Sequence, residues 1–253
     1  MINKKLNINN LIWFLILLCY TLFFASLLYT GRINLFIHPK MQKYTMIALI
    51  AFIILSVFQF TRIFHEEDAA EIKLGYLILI LPIALGIAYK PKALNGRWVE
   101  VRGLNLLQVE NICHNHKDKD SMKEVISRDN IIRINDKNYV DMLSVIYKNK
   151  ENYKGKKIIF EGFVYKQQGF GNNQFVTART VVNCCAADAQ VIGFMCKYDG
   201  SSGIKEDQWV RVTGTIDTTN YIDENYNKEG IIPQILVEHI EEIKEPENKN
   251  IYH

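Results

Sequence analysis

One short run concentrates the residue types that do chemistry: Asn183-Cys184-Cys185-Ala186-Ala187-Asp188-Ala189. Adjacent cysteines on an extended strand point to opposite faces and could not share a metal ion without distortion. On a helical turn, Cys184 and Asp188 are four residues apart and Cys185 and Asp188 three apart, so either pair falls on one side. The Ala-Ala-Asp-Ala run favours such a turn, with Asn183 as its N-cap. A helix N-terminus also lowers a thiol pKa and favours the thiolate, the form that binds Zn²⁺ or another soft divalent metal. Cys196, on the next apolar stretch, is a candidate third sulfur. Two other readings stand beside this one. The cysteines could pack the end of a domain as small apolar residues, or form a disulfide.

A second cluster is Cys113-His114-Asn115-His116, followed by Asp118. It places soft and borderline ligands within a few residues, which suits Zn²⁺, but no second C-x-x-C or spaced His pair completes a closed site. It reads equally as a polar loop. His65, followed by Glu66, Glu67 and Asp68, is a weaker candidate on a solvated hairpin. There is no G-x-G-x-x-G, no P-loop and no G-x-S-x-G. A thiol enzyme using Cys184 or Cys185 would need a general base within reach, and the sequence offers only Asp188 and distant histidines.

The elements that must position these residues divide into two unlike parts. Of the 57 charged side chains, residues 1–90 carry 12 and residues 91–253 carry 45. Three apolar runs predict transmembrane helices at about 11–30, 44–64 and 74–90, the anchor ending near residue 97. Leu11 to Tyr29 is 19 residues without a charge, enough at about 1.5 Å per residue to match a hydrocarbon core of about 30 Å. It is too long for a usual signal-peptide core, and no Ala-x-Ala site follows. The third run is short, holds Pro82, and has Lys73 and Lys90 at its ends to reach the interface. A plain count of loop charges favours a cytoplasmic C-terminal domain. Lys4 and Lys5 before the first helix favour the opposite; letting them decide places that domain outside the cell membrane.

Residues 98–152 read as a junction of mixed α and β character: a strand in Leu104–Ile112, a short strand at Ile131–Ile134, and a helix at Tyr139–Tyr147 with Asp136 in the turn before it. Residues 153–244 read as β. Strands are expected at Ile158–Val164, Phe175–Val182, Val191–Lys197, Trp209–Ile216 and Ile235–Ile243, the last ending as a short helix. Five strands, with Gly162 and Gly214 at close-approach positions, suggest a small closed barrel of the OB type. Residues 245–253 read as a polar tail. Residues 91–253 hold 22 Lys and Arg against 23 Asp and Glu, so the domain lacks the basic footprint of a nucleic-acid binder. The basic excess lies around the apolar runs, where anionic membrane lipid would attract it.

The chain also carries a Lys90–Leu94 exit after the helices, Tyr153-x-Gly-Lys-x-Ile-x-x-x-Gly-Phe-Val164, and Phe175-Val-x-x-Arg179. Cys184-Cys185-Ala186-Ala187-Asp188-Ala189, Gly193-Phe194 and Trp209-Val-x-Val-x-Gly214 follow. In this order the sequence resembles the YcgQ-like membrane proteins, proposed subunits of a two-component permease, over nearly the whole chain. The resemblance implies a multispanning permease partner of the YcgR type. It is densest around the double cysteine, which implies a functional centre of Cys184, Cys185, Asp188 and Arg179 without implying a chemistry. Family members often carry a His-rich stretch between helices two and three; here that loop reads His-Glu-Glu-Asp. The expectation is therefore a non-enzymatic accessory subunit for metal ions or another small solute. The rivals are a thiol-based redox or metal-handling enzyme and an OB-type surface module for a glycan or lipid-linked ligand.

Overall fold

The apolar runs near the N-terminus fold as helices because a chain in a low-dielectric surround must satisfy its own amides. The computed structural model describes residues 7–64, 75–88, 104, 106–107, 109, 131–167, 169–223, 228–246 and 248–252. It divides into two units. The first comprises residues 1–92 with Cys184–Ala187; the second comprises residues 93–183 and 188–253.

In the first unit, α1 (Ile8–Tyr29) has 22 residues and α2 (Gln42–Arg62) has 21. Each is long and apolar enough to cross a membrane. Neither is the core helix of a water-soluble fold, since Leu22 is 61% exposed and Ile54 63%. Apolar surface of that extent is matched by lipid, and this part of the chain is membrane-associated. α3 (Gly75–Ala88) has 14 described residues, about 21 Å of helix, with Pro82 inside.

Polar contacts fix how these helices meet. The Asn7 side chain caps α1 by accepting the Asn10 N–H at 3.1 Å. Asn10 donates to the Arg62 carbonyl at 3.0 Å, and Gln59 donates to the Asn10 side chain at 3.2 Å. Tyr20 stacks on Phe52 at 5.6 Å. Pro82 cannot donate to the carbonyl four residues before it and disturbs the helix there. One residue on, Tyr20 donates its hydroxyl to the Leu79 carbonyl at 2.7 Å. At Gly86 a Cβ would meet the Phe23 ring at 2.7 Å, so α1 and α3 approach closely.

The second unit is mostly β. β1 (Ile131–Arg133) leads through a turn to α4 (Tyr139–Lys148) and the single turn α5 (Lys150–Tyr153). Then come β2 (Lys157–Tyr165), β3 (Gln174–Val182), β4 (Gln190–Lys197), β5 (Trp209–Asp223), β6 (Lys228–Glu242) and β7 (Asn250–Tyr252). The sheet order is β1-β2-β5-β6-β4-β3-β7, with an additional pairing of β2 and β3. Pairing therefore returns to its start: β2 to β5, β5 to β6, β6 to β4, β4 to β3, and β3 to β2. All of these are antiparallel except β4 with β6.

The core is filled from the strands and α4, with β3 and β4 buried along nearly their whole length. Phe160, Phe163, Phe175 and Phe194 are almost fully buried, each stabilising by about 2–3 kcal/mol relative to exposure. Tyr139, Leu143, Ile146 and Tyr147 recur at helical spacing and are all buried. Their polar ends are satisfied: Tyr139 donates to the Ile192 carbonyl at 3.2 Å and Tyr147 to that of Gly193 at 2.7 Å. Burial pushes both phenols above their ordinary range.

Three differences from expectation have physical reasons. β5 runs on to Asp223 and β6 starts at Lys228, giving strands of 15 residues, roughly 50 Å, where the apolar alternation had marked only part. The extension holds because the two arms pair with each other, and Pro233 is tolerated where, among the described residues, β6 has β5 as its only sheet neighbour. β6 also continues as strand to Glu242 rather than ending as a helix. The polar tail carries β7, which pairs in parallel with β3 and buries Ile251. The strand expected in Leu104–Ile112 lies largely outside the described residues.

Candidate functional site

The double cysteine follows the end of β3. Cys185 forms an isolated antiparallel bridge with Ile37. The His38 N–H donates to the Cys184 carbonyl at 2.9 Å, and the Ala186 N–H donates to the Phe36 carbonyl at 2.7 Å. A single 3₁₀ turn, Ala186–Asp188, follows. The expected α-helical turn is thus replaced by a backbone bridge and a tighter turn. The three polar groups still converge: the ligand atoms of Cys184, Cys185 and Asp188 all lie within 4.8 Å of one another. Both cysteines are thiols, Cys184 exposed and Cys185 half-buried, with their Sγ atoms 3.6 Å apart. Two sulfurs and one carboxylate oxygen make a three-ligand set that would leave one position open on a tetrahedral ion.

Cys196 does something else. It faces the interior of the second unit from β4, fully buried, 3.5 Å from the Thr177 hydroxyl. Loss of water around it pushes its thiol pKa up to about 12, with the Thr177 contact opposing. It is a neutral, packed thiol at physiological pH and a poor metal ligand there. Cys113, His114 and His116 lie outside the described residues, as does the His65–Asp68 hairpin.

Arg179 lies on β3 with its side chain 3% exposed. Its guanidinium donates to Asp136 Oδ1 at 2.9 Å and to the Asn248 carbonyl at 3.2 Å. The Trp209 ring centre is 5.0 Å from the guanidinium carbon and that of Tyr139 is 6.0 Å. The sequence reading singled out Arg179 but not this company. Asp136 had been read as a turn residue and Trp209 as a strand residue, and 43 positions separate Asp136 from Arg179. His38 was likewise missed as the backbone neighbour of Cys184, because nothing in local spacing links positions so far apart.

A family model described as the DUF1980 N-terminal domain matches residues 12–105, and the DUF1980 C-terminal domain matches residues 108–253. UPF0703 protein YcgQ of Bacillus subtilis (strain 168) is 22% identical over 94% of this chain and 98% of its own length. A protein of Streptococcus mutans, named as a proposed subunit of a two-component membrane permease complex, is 25% identical over 48% of this chain and 42% of its own. Among solved structures, a mitochondrial single-stranded DNA-binding protein of S. cerevisiae aligns over 36% of this chain and 97% of its own, at 8% identity and a TM-score of 0.23. That last likeness carries no argument about fold or ligand. The two family models tile the chain from the first apolar helix to the last strand, and the chain belongs to the DUF1980 family of YcgQ-like proteins.

Proposed function

We infer that this chain is a non-enzymatic accessory subunit of a membrane permease complex. The observation that carries the reading is the apolar surface of α1 and α2, exposed on the chain itself and joined to a well-packed β unit with no net basic excess. In this reading α3 also spans. Its 14 described residues are fewer than the roughly 20 needed to cross alone, and Pro82 weakens it, so in this reading it sits against neighbouring helices rather than lipid. The partner is a multispanning permease of the YcgR type. The name of the Streptococcus relative supports a complex of this kind. The second unit is an OB-type barrel of β2 to β6, supported by the closed cycle of pairings and the single parallel pair between β4 and β6. It lies outside the cell membrane and does not bind nucleic acid.

The cargo reading rests on the Cys184–Asp188 turn. Cys184, Cys185 and Asp188 take a soft divalent ion such as Zn²⁺ as it passes to or from the permease, with water or the partner completing the coordination. A second reading, thiol redox chemistry at the same pair, draws on the exposure of Cys184 and the 3.6 Å between the sulfurs. Affinity purification from native membranes tests the main reading: a multispanning permease should co-purify in fixed ratio. Recovery of this chain alone under mild detergent would sink it. Zn²⁺ retained by the purified protein separates cargo handling from redox, in which a reversible disulfide would form instead.

A further inference from the structure

Arg179 carries a guanidinium, and burying such a cation is costly unless partners compensate. Its compensation is incomplete. Two nitrogens have single acceptors, one on Asp136 and one at the Asn248 carbonyl, and Nε is buried with no partner among the described residues. The carboxylate that meets it belongs to a side chain 56% exposed, on the turn between β1 and α4. A cavity of about 460 Å³ opens at this point, with Asp136, Tyr139, Glu161 and Arg179 in its lining. That volume suits a small molecule. The other acid of the lining is engaged elsewhere: Glu161 Oε1 accepts from Arg211 at 2.7 and 2.8 Å.

We propose that this cavity binds a small ligand through a carboxylate or phosphate group, which takes Arg179 over from Asp136. Asp136 then holds the ligand's place in the unbound protein, with the same chemistry supplied from a turn that can release it. A ligand oxyanion brings acceptors to spare for Nε, which Asp136 leaves unmet, and Arg presents donors in a fork suited to planar or tetrahedral oxyanions. The Tyr139 and Trp209 rings beside the guanidinium keep it in place when Asp136 leaves. The four charged residues of the lining, Asp136, Lys137, Glu161 and Arg179, cancel, so recognition depends on Arg179 rather than on a general positive field. The cavity lining includes no residue of the cysteine turn, and the proposal does not depend on the permease reading.

The test uses the full chain in detergent. The protein has three tryptophans, so Trp13→Phe with Trp98→Phe leaves Trp209, beside Arg179, as the sole reporter. Its fluorescence is titrated with inorganic phosphate and, separately, acetate, each against chloride at equal ionic strength. A saturable change with either anion beyond chloride is expected, and the anion that gives it identifies the group recognised. Asp136→Asn removes the internal competitor and should lower the half-saturation concentration about tenfold or more. Arg179→Gln should abolish the response. An unsaturable response equal to chloride, or one that survives Arg179→Gln, would overturn the proposal. If Asp136→Asn does not fold, the titration of the Asp136 protein decides alone by the same criterion.

Discussion

Gly193 is where the β unit has least room, and Gly193→Ala is the sharpest test of how its strands meet. Gly193 on β4 pairs with Ala178 on β3. A Cβ there would sit 2.2 Å from the Thr177 carbonyl oxygen, 2.7 Å from the Ala178 Cα and 2.9 Å from the Thr177 carbonyl carbon. All three are backbone atoms, so no side chain can rotate away. Relief requires β3 and β4 to separate by about 1 Å, which weakens their ladder; overpacking of this kind costs about 1–3 kcal/mol. The Gly193 carbonyl also accepts the buried Tyr147 hydroxyl at 2.7 Å, and disturbing that bond adds about 1 kcal/mol. Together the loss is about 3 kcal/mol, roughly 6–12 °C in Tm for a domain of this size. Gly203→Ala is the control, because nothing lies within 4 Å of a Cβ there and its φ is not positive. It should stay within about 0.5 kcal/mol of the parent. The assay is thermal unfolding of the full chain in detergent, followed by near-ultraviolet circular dichroism, which reports the packed aromatics. If Gly193→Ala melts within about 2 °C of the control, against the roughly 6–12 °C expected, the β3–β4 register is wrong.

Cys184→Ser with Cys185→Ser should abolish Zn²⁺ binding and leave the melt unchanged, since neither thiol is in the β core; equilibrium dialysis and the same melt check both halves. Zn²⁺ affinity of the parent should fall as pH drops, because both sulfurs must lose protons to bind. In a Cys19→Ala, Cys113→Ala background, maleimide at neutral pH should modify Cys184 and Cys185 and spare Cys196 until the chain is denatured. Cys196 also sets an alkaline limit. Its folded pKa is raised above the unfolded value, so its contribution is intact below about pH 8.5 and declines as pH rises toward about 12. Cys196→Ala should therefore flatten the loss of stability between those values in urea titrations. For topology, Ser202→Cys in a background without other cysteines should react with an impermeant maleimide on intact cells; reaction only after lysis would refute the outward placement. Ser202 is chosen because it is exposed, whereas neighbouring Ser201 is buried and donates to the Asn172 carbonyl at 2.8 Å. Crosslinking from Ile78, exposed on α3, should capture a second membrane protein, and failure in native membranes would count against the permease partner.

The sequence by itself determined whatever is local or periodic. Nineteen uncharged residues from Leu11 to Tyr29 had to be a helix in lipid. Alternation from Trp209 to Ile216 had to be a half-buried strand, and the Tyr139–Tyr147 face had to be an amphipathic helix. Gly162 and Gly214 were legible as close approaches because a strand gains nothing from glycine unless another backbone crowds it; a Cβ would meet Ala178 O at 2.5 Å and Leu236 O at 2.3 Å. Only the tertiary structure decided what depends on partners distant in the chain. The hairpin of β5 and β6 outruns its apolar pattern because its outer half is held by pairing along both arms, with Tyr221 and Ile232 reaching the core. The polar tail becomes β7 because β3 offers it an edge. Cys196 carries the same side chain as Cys184, yet burial makes it core while Cys184 is exposed. Arg179 and Asp136 read as unrelated charges until a strand and a turn bring them to 2.9 Å, since electrostatic partnership is set by distance in space and the sequence records only distance along the chain.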